Sequence, residues 1–111
     1  MLHYLEVLYD PKDNAMLQTL LAIDQGTSST RAIIFDSRGH ILAQAQIMHE
    51  HIKAISDDAD VLGRVEQDGE TIWHNTISVC KQVLTQTKSE NLVAVGISNQ
   101  RETLVTWDAK T

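Results

Sequence analysis

Two apolar runs separated by a short polar segment constrain the fold of this chain more than any other feature. The first run covers residues 20–23, the second covers residues 32–35, and the segment between them holds one glycine and four consecutive hydroxyl residues. Because both runs are short and the segment contains glycine, the pattern predicts a β-hairpin. Backbone N–H groups and hydroxyls at such a turn can donate to an anion. The segment is therefore a candidate phosphate loop, and an ordinary hairpin rich in serine and threonine is the alternative.

Several residues of this segment fit phosphate binding. Gly26 lets the backbone approach a ligand closely or adopt a positive φ, and hydroxyls stand at Thr27, Ser28 and Ser29. Asp24 follows the first apolar run and would repel a bare phosphate, so its carboxylate fits better with a hydrated Mg²⁺ between the two. The segment therefore predicts a phosphate site that includes a water-bridged metal ion.

Three segments of the chain carry a resemblance to a known family. They are residues 24–31, residues 65–68 with Trp73, and residues 98–103 with Trp107 and Asp108. In this order they resemble three segments of the FGGY carbohydrate kinases. These are the first phosphate-binding motif, the Val-Glu-x-Asp-Pro and tryptophan segment, and the substrate-binding segment. The opening Asp-Gln-Gly-Thr is similar to the glycerol kinase branch of that family. The likeness spans residues 19–111 and departs from the family at Gly69, where proline is usual.

This resemblance implies a kinase that transfers the γ-phosphoryl group of ATP, with Mg²⁺, to glycerol and gives glycerol 3-phosphate. The residues implied for phosphate and Mg²⁺ are Asp24, which acts on the metal through water, and Gly26, Thr27, Ser28, Ser29 and Arg31. Arg101 and Glu102 are implied to hold glycerol. The family's general base lies beyond Thr111, so the resemblance implies no catalytic residue within this segment.

Arg101 and Glu102 also fit a polyol on chemical grounds. A hydroxyl both donates and accepts hydrogen bonds, whereas arginine only donates and ionised glutamate only accepts. The pair can therefore satisfy both functions of each hydroxyl. Without the surrounding motif, the same two residues would be interpreted as a surface ion pair or as two solvated charges.

The resemblance also bears on how the chain is organised. FGGY kinases are two-domain chains several times longer than 111 residues, so residues 18–111 are expected to be an incomplete N-terminal domain. Residues 1–17 are expected to be an extension, with a natural start at Met16 as the preferred explanation and a short extra strand or helix packed on the sheet as the alternative. A homo-oligomer is implied for the whole protein. Two other functions stay open: an FGGY kinase for another polyol or sugar, and a non-catalytic remnant of a kinase.

The hydropathy pattern predicts an α/β fold. The predicted elements are strands at residues 19–24, 30–36 and 41–50, a helix from an Asp68 cap to about residue 87, and strands at residues 92–98 and 103–107. The first three strands form an antiparallel meander, and the helix allows residues 92–98 to pair in parallel with the first strand. Residues 92–98 are apolar throughout, which predicts a strand covered on both faces. This order resembles the N-terminal part of the ribonuclease H-like fold shared by actin, Hsp70 and sugar kinases.

Cys80 is the only cysteine of the chain. It belongs to an apolar stripe with Trp73, Ile77 and Leu84, and this stripe is expected to pack on the sheet. We therefore expect Cys80 to be a small buried apolar residue and not a nucleophile. A lone cysteine excludes an internal disulfide and indicates a reducing compartment, so a cytoplasmic location is expected.

Charge and hydropathy argue against two classes of partner. The net charge of −6 disfavours a broad surface for nucleic acid or an anionic membrane. No apolar stretch approaches the roughly 20 residues that cross a bilayer. Phosphate binding is therefore expected to be local.

Two polar clusters raise the question of further metal sites. His49 and His51 are two residues apart, and three carboxylates stand at Asp57, Asp58 and Asp60. The histidines lack a third ligand at zinc spacing, and the carboxylates lack the spacing of an EF-hand. Exposed histidines and a solvated loop are therefore the expected structures.

Overall fold

The computed structural model describes residues 18–53, 65–87 and 91–110. Its elements are the strands β1 (Thr19–Gln25), β2 (Ser29–Asp36), β3 (Ile41–Met48), β4 (Ile52–Lys53), β5 (Val65–Glu66) and β6 (Leu92–Asn99), and the helix α1 (Gly69–Gln86). The strands and the helix predicted between residues 19 and 98 are confirmed, with ends that differ by at most two residues. The expectations for residues 1–17 and for the three carboxylates after residue 56 lie outside the described residues.

Four strands form a mixed sheet in the order β3-β2-β1-β6. β1 pairs antiparallel with β2, and β2 pairs antiparallel with β3. β6 pairs in parallel with β1, as the helical connection requires. The predicted meander, helix and parallel strand are therefore confirmed. The short strands β4 and β5, which the sequence pattern did not reveal, pair antiparallel in a separate small sheet.

The turn between β2 and β3 is built around Asp36. Its Oδ1 accepts hydrogen bonds from the N–H groups of Arg38 at 2.9 Å and His40 at 2.8 Å, and its Oδ2 lies 2.9 Å from Nδ1 of His40. Gly39 has a φ of 85°, which glycine adopts without steric cost. Burial by itself would raise the pKa of Asp36, but the hydrogen bonds from His40 and Arg38 outweigh it and lower that pKa.

Helix α1 begins at the predicted cap. The carboxylate of Asp68 accepts from the N–H of Glu70 at 3.3 Å, from the N–H of Thr71 at 3.0 Å and from the hydroxyl of Thr71 at 2.6 Å. These contacts, the Thr71 hydroxyl foremost, lower the pKa of Asp68. The cap satisfies N–H groups that have no partner in the first turn of a helix.

One hydrophobic core lies between α1 and one face of the sheet. It contains Leu21, Ile23, Ala32, Ile34, Ala43, Val79 and Val83, all buried. Ala45 and Ile47 of β3 pack against it, as do Cys80 and Leu84 of α1. Cys80 is half-buried and burial raises the pKa of its thiol, so it contributes to packing as expected.

Trp73 does not belong to this core. Its exposed fraction is 62%, whereas Val79 and Val83 are fully buried. At 3.6 residues per turn, Trp73 lies about 100° around the helix from the line of those two valines. The prediction that Trp73 packs on the sheet is therefore wrong for this part of the chain, and the buried face is centred on the valines.

The β6 edge of the sheet also differs from expectation. Val95 and Ile97 stand beside Leu21 and Ile23 in the sheet register, yet they are 53% and 72% exposed. α1 packs mainly on β2 and β3 and less on β1, and of β6 only Leu92, at its start, packs against the core. The prediction that this strand is covered on both faces is therefore wrong within the described residues.

The strand predicted at residues 103–107 is absent from the described residues. Residues 103–108 have no regular secondary structure, and Leu104, Val105 and Trp107 are 91%, 65% and 81% exposed. A strand needs a hydrogen-bonded neighbour, and the described ladders pair β6 with β1 alone. Apolar alternation by itself did not supply that neighbour.

Candidate functional site

Two polar segments meet at one edge of the sheet. The loop of residues 26–28 follows β1, and the turn of residues 100–102 follows β6. β1 and β6 are parallel and in register, with Asp24 beside Ser98 and Gln25 beside Asn99. Both segments therefore lie at the carboxyl ends of neighbouring strands, where open α/β sheets bind ligands.

The loop is closed by backbone hydrogen bonds. The N–H of Gly26 donates to the carbonyl of Ser29 at 2.8 Å, and the N–H of His49 donates to the carbonyl of Ser28 at 2.8 Å. A Cβ on Gly26 would stand 3.2 Å from the Ser29 carbonyl oxygen. Among the described glycines only Gly39 has a positive φ. Gly26 is therefore explained by the close approach of the Ser29 carbonyl, which belongs to the same loop and not to a ligand. The alternative explanation, a positive φ at Gly26, is wrong.

Two backbone donors of the loop are available to a ligand. The hydrogen bonds of the described residues leave the N–H groups of Thr27 and Ser28 without an acceptor, and both residues are exposed. The hydroxyl of Ser29 accepts from Nε2 of Gln46 at 2.7 Å, which leaves its O–H able to donate. Unpaired N–H groups in succession form a concavity suited to an anion.

Asp24 stands beside the loop at the end of β1. Its Oδ1 accepts from the hydroxyl of Ser98 at 2.8 Å, and its Oδ2 lies 3.7 Å from Nη2 of Arg31. Both partners of this ion pair are about half exposed. Arg31 thus pairs across the hairpin with Asp24 and lines an open pocket with Gln44, Ala45 and Gln46. The structure brings Asp24, Arg31 and the loop together.

Arg101 and Glu102 lie in the exposed turn after β6. The hydroxyl of Thr103 donates to the carbonyl of Arg101 at 3.2 Å, and Glu102 has a φ of 56°. A non-glycine residue in this region is uncommon, and such strain concentrates at ligand sites. No ion pair or hydrogen bond engages the side chains of Arg101 and Glu102 within the described residues. Of their two alternatives, the surface ion pair is not formed within the described residues, whereas two solvated charges agree with the exposure of both side chains.

His49 is a structural residue that sequence analysis missed. It is 9% exposed, its Nε2 lies 3.0 Å from the buried hydroxyl of Thr30, and its Nδ1 lies 3.1 Å from Nδ2 of Asn75 on α1. Burial, and secondarily the like charge of His51, lower the pKa of His49. The expectation of an exposed side chain is wrong for His49 and right for His51. Alternation beyond the end of β3 was the available signal, because it places His49 on the face of Ala45 and Ile47.

Gln67 is a second missed residue. It follows β5, and its side chain contacts both the loop after β1 and the turn after β6 through hydrogen bonds to Thr27 and Gln100. Its place inside the motif of residues 65–68 was a signal for function, but spacing along the chain could not show which segments it joins.

The donor set fits a metal ion that keeps most of its water ligands. Among the described residues, no three side chains of histidine, cysteine, aspartate or glutamate are grouped to hold a metal ion. Asp24 offers an exposed carboxylate beside two unpaired N–H groups, and both an anion and the hydration shell of a cation can use that combination.

Among the described residues, no helix has the length and apolar character needed to cross a membrane.

The fold is α/β, and the candidate site lies at the carboxyl ends of β1 and β6. The family follows from its sequence: the chain belongs to the FGGY family of carbohydrate kinases, because the model of that family's N-terminal domain matches residues 19–111. The predicted family and fold are therefore confirmed.

Individual relatives agree with this family. The chain is 46% identical over 94 residues to the glycerol kinase of Alcanivorax borkumensis, covering 83% of this chain and 18% of that protein. It is 51% identical over 92 residues to the glycerol kinase of Methylorubrum extorquens, covering 81% of this chain and 17% of that protein. The chain thus spans about a fifth of the length of the curated relatives it matches.

Solved structures show the same fold. Plasmodium falciparum glycerol kinase with ADP superposes with a TM-score of 0.63 at 27% identity, covering 78% of this chain and 17% of that one. Gluconate kinase from Lactobacillus acidophilus superposes with a TM-score of 0.62 at 18% identity, covering 77% of this chain and 16% of that one. The second likeness concerns the fold alone.

Proposed function

We propose that residues 19–110 form the phosphate-binding and glycerol-binding part of an ATP-dependent glycerol kinase. The observation that carries this proposal is the common edge of β1 and β6, where the loop with two unpaired N–H groups lies beside the turn with Arg101 and Glu102. A phosphoryl donor and its acceptor must be held side by side, and this edge offers groups for both. The named glycerol kinase relatives support glycerol as the acceptor.

The loop residues are assigned to the nucleotide phosphates. The N–H groups of Thr27 and Ser28, with their exposed hydroxyls, bind phosphate oxygens. Ser29 completes the loop, and Gly26 permits its tight closure on the Ser29 carbonyl. Arg31 adds positive charge at the side of the site when its pairing with Asp24 loosens.

Asp24 is assigned to the hydration shell of Mg²⁺. Its Oδ1 is oriented by the hydroxyl of Ser98, and an ionised carboxylate can accept further hydrogen bonds from metal-bound water through both oxygens. When bound, the ion neutralises charge on the phosphates during transfer. Asp24 therefore acts as an orienting group and not as a base.

Arg101 and Glu102 are assigned to glycerol. Their side chains have no partner among the described residues, so they can bind hydroxyls without first breaking a contact. Arg101 donates hydrogen bonds to the hydroxyl oxygens of glycerol, and Glu102 accepts hydrogen bonds from its O–H groups. The turn itself is held by Gln100, which anchors it to Gln67.

A segment exchange tests the proposal. In the glycerol kinase of Alcanivorax borkumensis, the matching N-terminal segment is replaced by residues 19–110 of this chain, which gives what we call the chimeric enzyme. We expect it to release ADP in a glycerol-dependent reaction. Arg101→Ala in the chimeric enzyme should weaken glycerol binding, and Gln82→Ala on the exposed side of α1 serves as the matched control.

Other substrates are arms of the same assay. Turnover with a pentose or another polyol, but not with glycerol, would indicate a different FGGY kinase. A folded chimeric enzyme that turns over none of these substrates would contradict the proposal and favour a non-catalytic remnant.

A further inference from the structure

The side-chain amide of Gln67 bridges the two halves of the candidate site. Its Nε2 donates to the carbonyl oxygen of Thr27 at 2.5 Å, and its Oε1 accepts from Nε2 of Gln100 at 2.9 Å. A carbonyl oxygen can only accept, so the Thr27 contact fixes which end of the amide faces the loop. The oxygen end must then face Gln100. A primary amide provides this donor and this acceptor in one rigid plane.

The backbone around Gln67 is held on both sides. β5 pairs with β4 immediately before it, and Asp68 caps α1 immediately after it. Gln67 is half-buried, as is Gln100. The amide is therefore attached to a stretch of chain that is itself fixed by a strand pair and a helix start.

The contact with Thr27 orients a donor of the loop. The Thr27 carbonyl also accepts from Nε2 of His51 at 3.1 Å, so both of its lone pairs are used. In a planar trans peptide, this carbonyl and the N–H of Ser28 point in opposite directions. Two donors on the Thr27 carbonyl therefore aim the Ser28 N–H away from Gln67 and His51. That N–H is one of the two without an acceptor among the described residues.

The contact with Gln100 holds the other half. Gln100 directly precedes Arg101 and Glu102, and the turn contains the left-handed residue Glu102. A strained turn persists only when its surroundings fix it. One amide therefore restrains both the donor aimed at phosphate and the turn assigned to glycerol.

We propose that Gln67 is a positioning residue that couples the phosphate loop to the turn carrying Arg101 and Glu102. The inference rests on the proposed function, because it concerns the two ligands of that reaction. It assigns no contact between Gln67 and either ligand. The side chain of Gln67 holds the loop of residues 26–28 and the turn of residues 100–102 in a fixed geometry relative to each other.

Three substitutions separate the two contacts in the chimeric enzyme. Gln67→Met keeps the length of the side chain and removes both hydrogen bonds. Gln67→Glu keeps an acceptor for Gln100 but removes the donor for Thr27. Gln100→Met removes the bond to Gln67 and leaves the Thr27 contact intact. Gln82→Met and Gln82→Glu, on the exposed side of α1, are the matched controls.

Calorimetry with MgADP and with glycerol supplies a readout that does not depend on turnover. Gln67→Met should weaken both ligands by roughly three- to tenfold, the effect of one lost neutral hydrogen bond. Gln67→Glu should weaken MgADP alone, and Gln100→Met should weaken glycerol alone. The MgADP effect of Gln67→Glu should persist at high salt, because screening removes the effect of the new charge but not that of the lost donor.

Several results would overturn the inference. One is unchanged binding of both ligands in a folded Gln67→Met variant, and another is an equal loss of both ligands in Gln100→Met. If Gln67→Met does not fold, Gln100→Met alone decides, because a loss of MgADP affinity there contradicts the inference. Absence of glycerol turnover and binding in the unmodified chimeric enzyme would instead contradict the proposed function.

Discussion

Removing the side chain of His49 should loosen α1 together with β2, the strand that follows the loop of residues 26–28. The imidazole of His49 lies between the Thr30 hydroxyl of β2 and the Asn75 amide of α1. Separately, the backbone N–H of His49 donates to the Ser28 carbonyl. Thr30 is fully buried, so in His49→Ala its hydroxyl loses its partner without gaining water. The side chain of His49 therefore joins β2 to α1, while the backbone N–H that holds the Ser28 carbonyl is kept in His49→Ala.

The cost can be estimated from these contacts. An unsatisfied buried hydroxyl costs about 1–3 kcal/mol, and the half-buried Asn75 can partly rehydrate. The cavity left by the ring adds to this cost unless the site collapses. We expect His49→Ala to lower the free energy of local opening by about 2–3 kcal/mol, which corresponds to roughly 30- to 150-fold faster amide exchange.

Hydrogen exchange of peptides from α1 and from residues 26–30 in the chimeric enzyme measures this effect. His74→Ala is the control, because His74 is an exposed histidine on α1. This substitution should change the exchange rates by less than about threefold. An increase in His49→Ala no larger than in His74→Ala would refute the role assigned to His49.

The same residue predicts a pH dependence. Burial lowers the pKa of His49 below its ordinary value of 6.5, so the open state binds a proton more readily than the closed state. Local stability from His49 is therefore fully present above pH 6.5 and declines as the pH falls below it. After correction for intrinsic exchange, protection should drop with acidity in the unmodified chimeric enzyme. The drop should shrink in His49→Gln, and an identical drop in both would contradict the assignment.

Three further predictions concern the site and the helix start in the chimeric enzyme. Asp24→Asn should lower kcat by roughly 10- to 100-fold, as for other residues that act on a metal through its ligands, and change glycerol affinity little; wild-type kcat would exclude this role. Arg101→Ala should weaken glycerol by about ten- to a hundredfold and MgADP hardly at all, so equal losses in calorimetry would make Arg101 structural. Gly69→Pro should raise the protection of α1 by about 0.4–1 kcal/mol, because Gly69 is the first helical residue and a Cβ there meets only Val105, at 3.7 Å. Faster exchange of α1 in Gly69→Pro would show that position 69 needs glycine.

Local signals in the sequence account for most of the described fold. The polar segment after Ile23, the glycine at position 39 and the carboxylate at Asp68 each specify a turn or a cap through contacts within a few residues. The parallel placement of β6 follows from chain connectivity alone. Such features can be predicted because their causes lie close together in the sequence.

The missed features depend on contacts between distant segments. Gln67 reaches Thr27 across 40 residues and Gln100 across 33, and no spacing rule specifies such partners. His49 was interpreted as exposed although alternation along β3 placed it on the buried face, and its partner Asn75, 26 residues away on α1, could not be read from spacing. Trp73 was placed in the core by its spacing, but the faces of β2 and β3 determine which side of α1 is buried.

The exposed edge of the sheet leads to a last prediction, for the 111-residue chain by itself. Val95 and Ile97 lie on the face of the sheet that α1 covers elsewhere, and Leu104, Val105 and Trp107 follow them with more than half of their surface exposed. An apolar patch beside an unpaired strand edge promotes association.

The same chain holds only the edge of the site formed by residues 24–31 and 98–102, and the missing contacts cannot be replaced by water at comparable affinity. We therefore expect the isolated chain to self-associate, to bind MgATP more weakly than micromolar and to show no glycerol-dependent ADP release. Val95→Lys together with Ile97→Lys should reduce the association by placing charge on the edge strand, with Lys81→Glu on the exposed side of α1 as a charge control. Sedimentation velocity over a range of concentrations measures the association. A monomer at every concentration would show that the exposed sheet edge does not cause association. Turnover by the isolated chain would show that it holds a complete site.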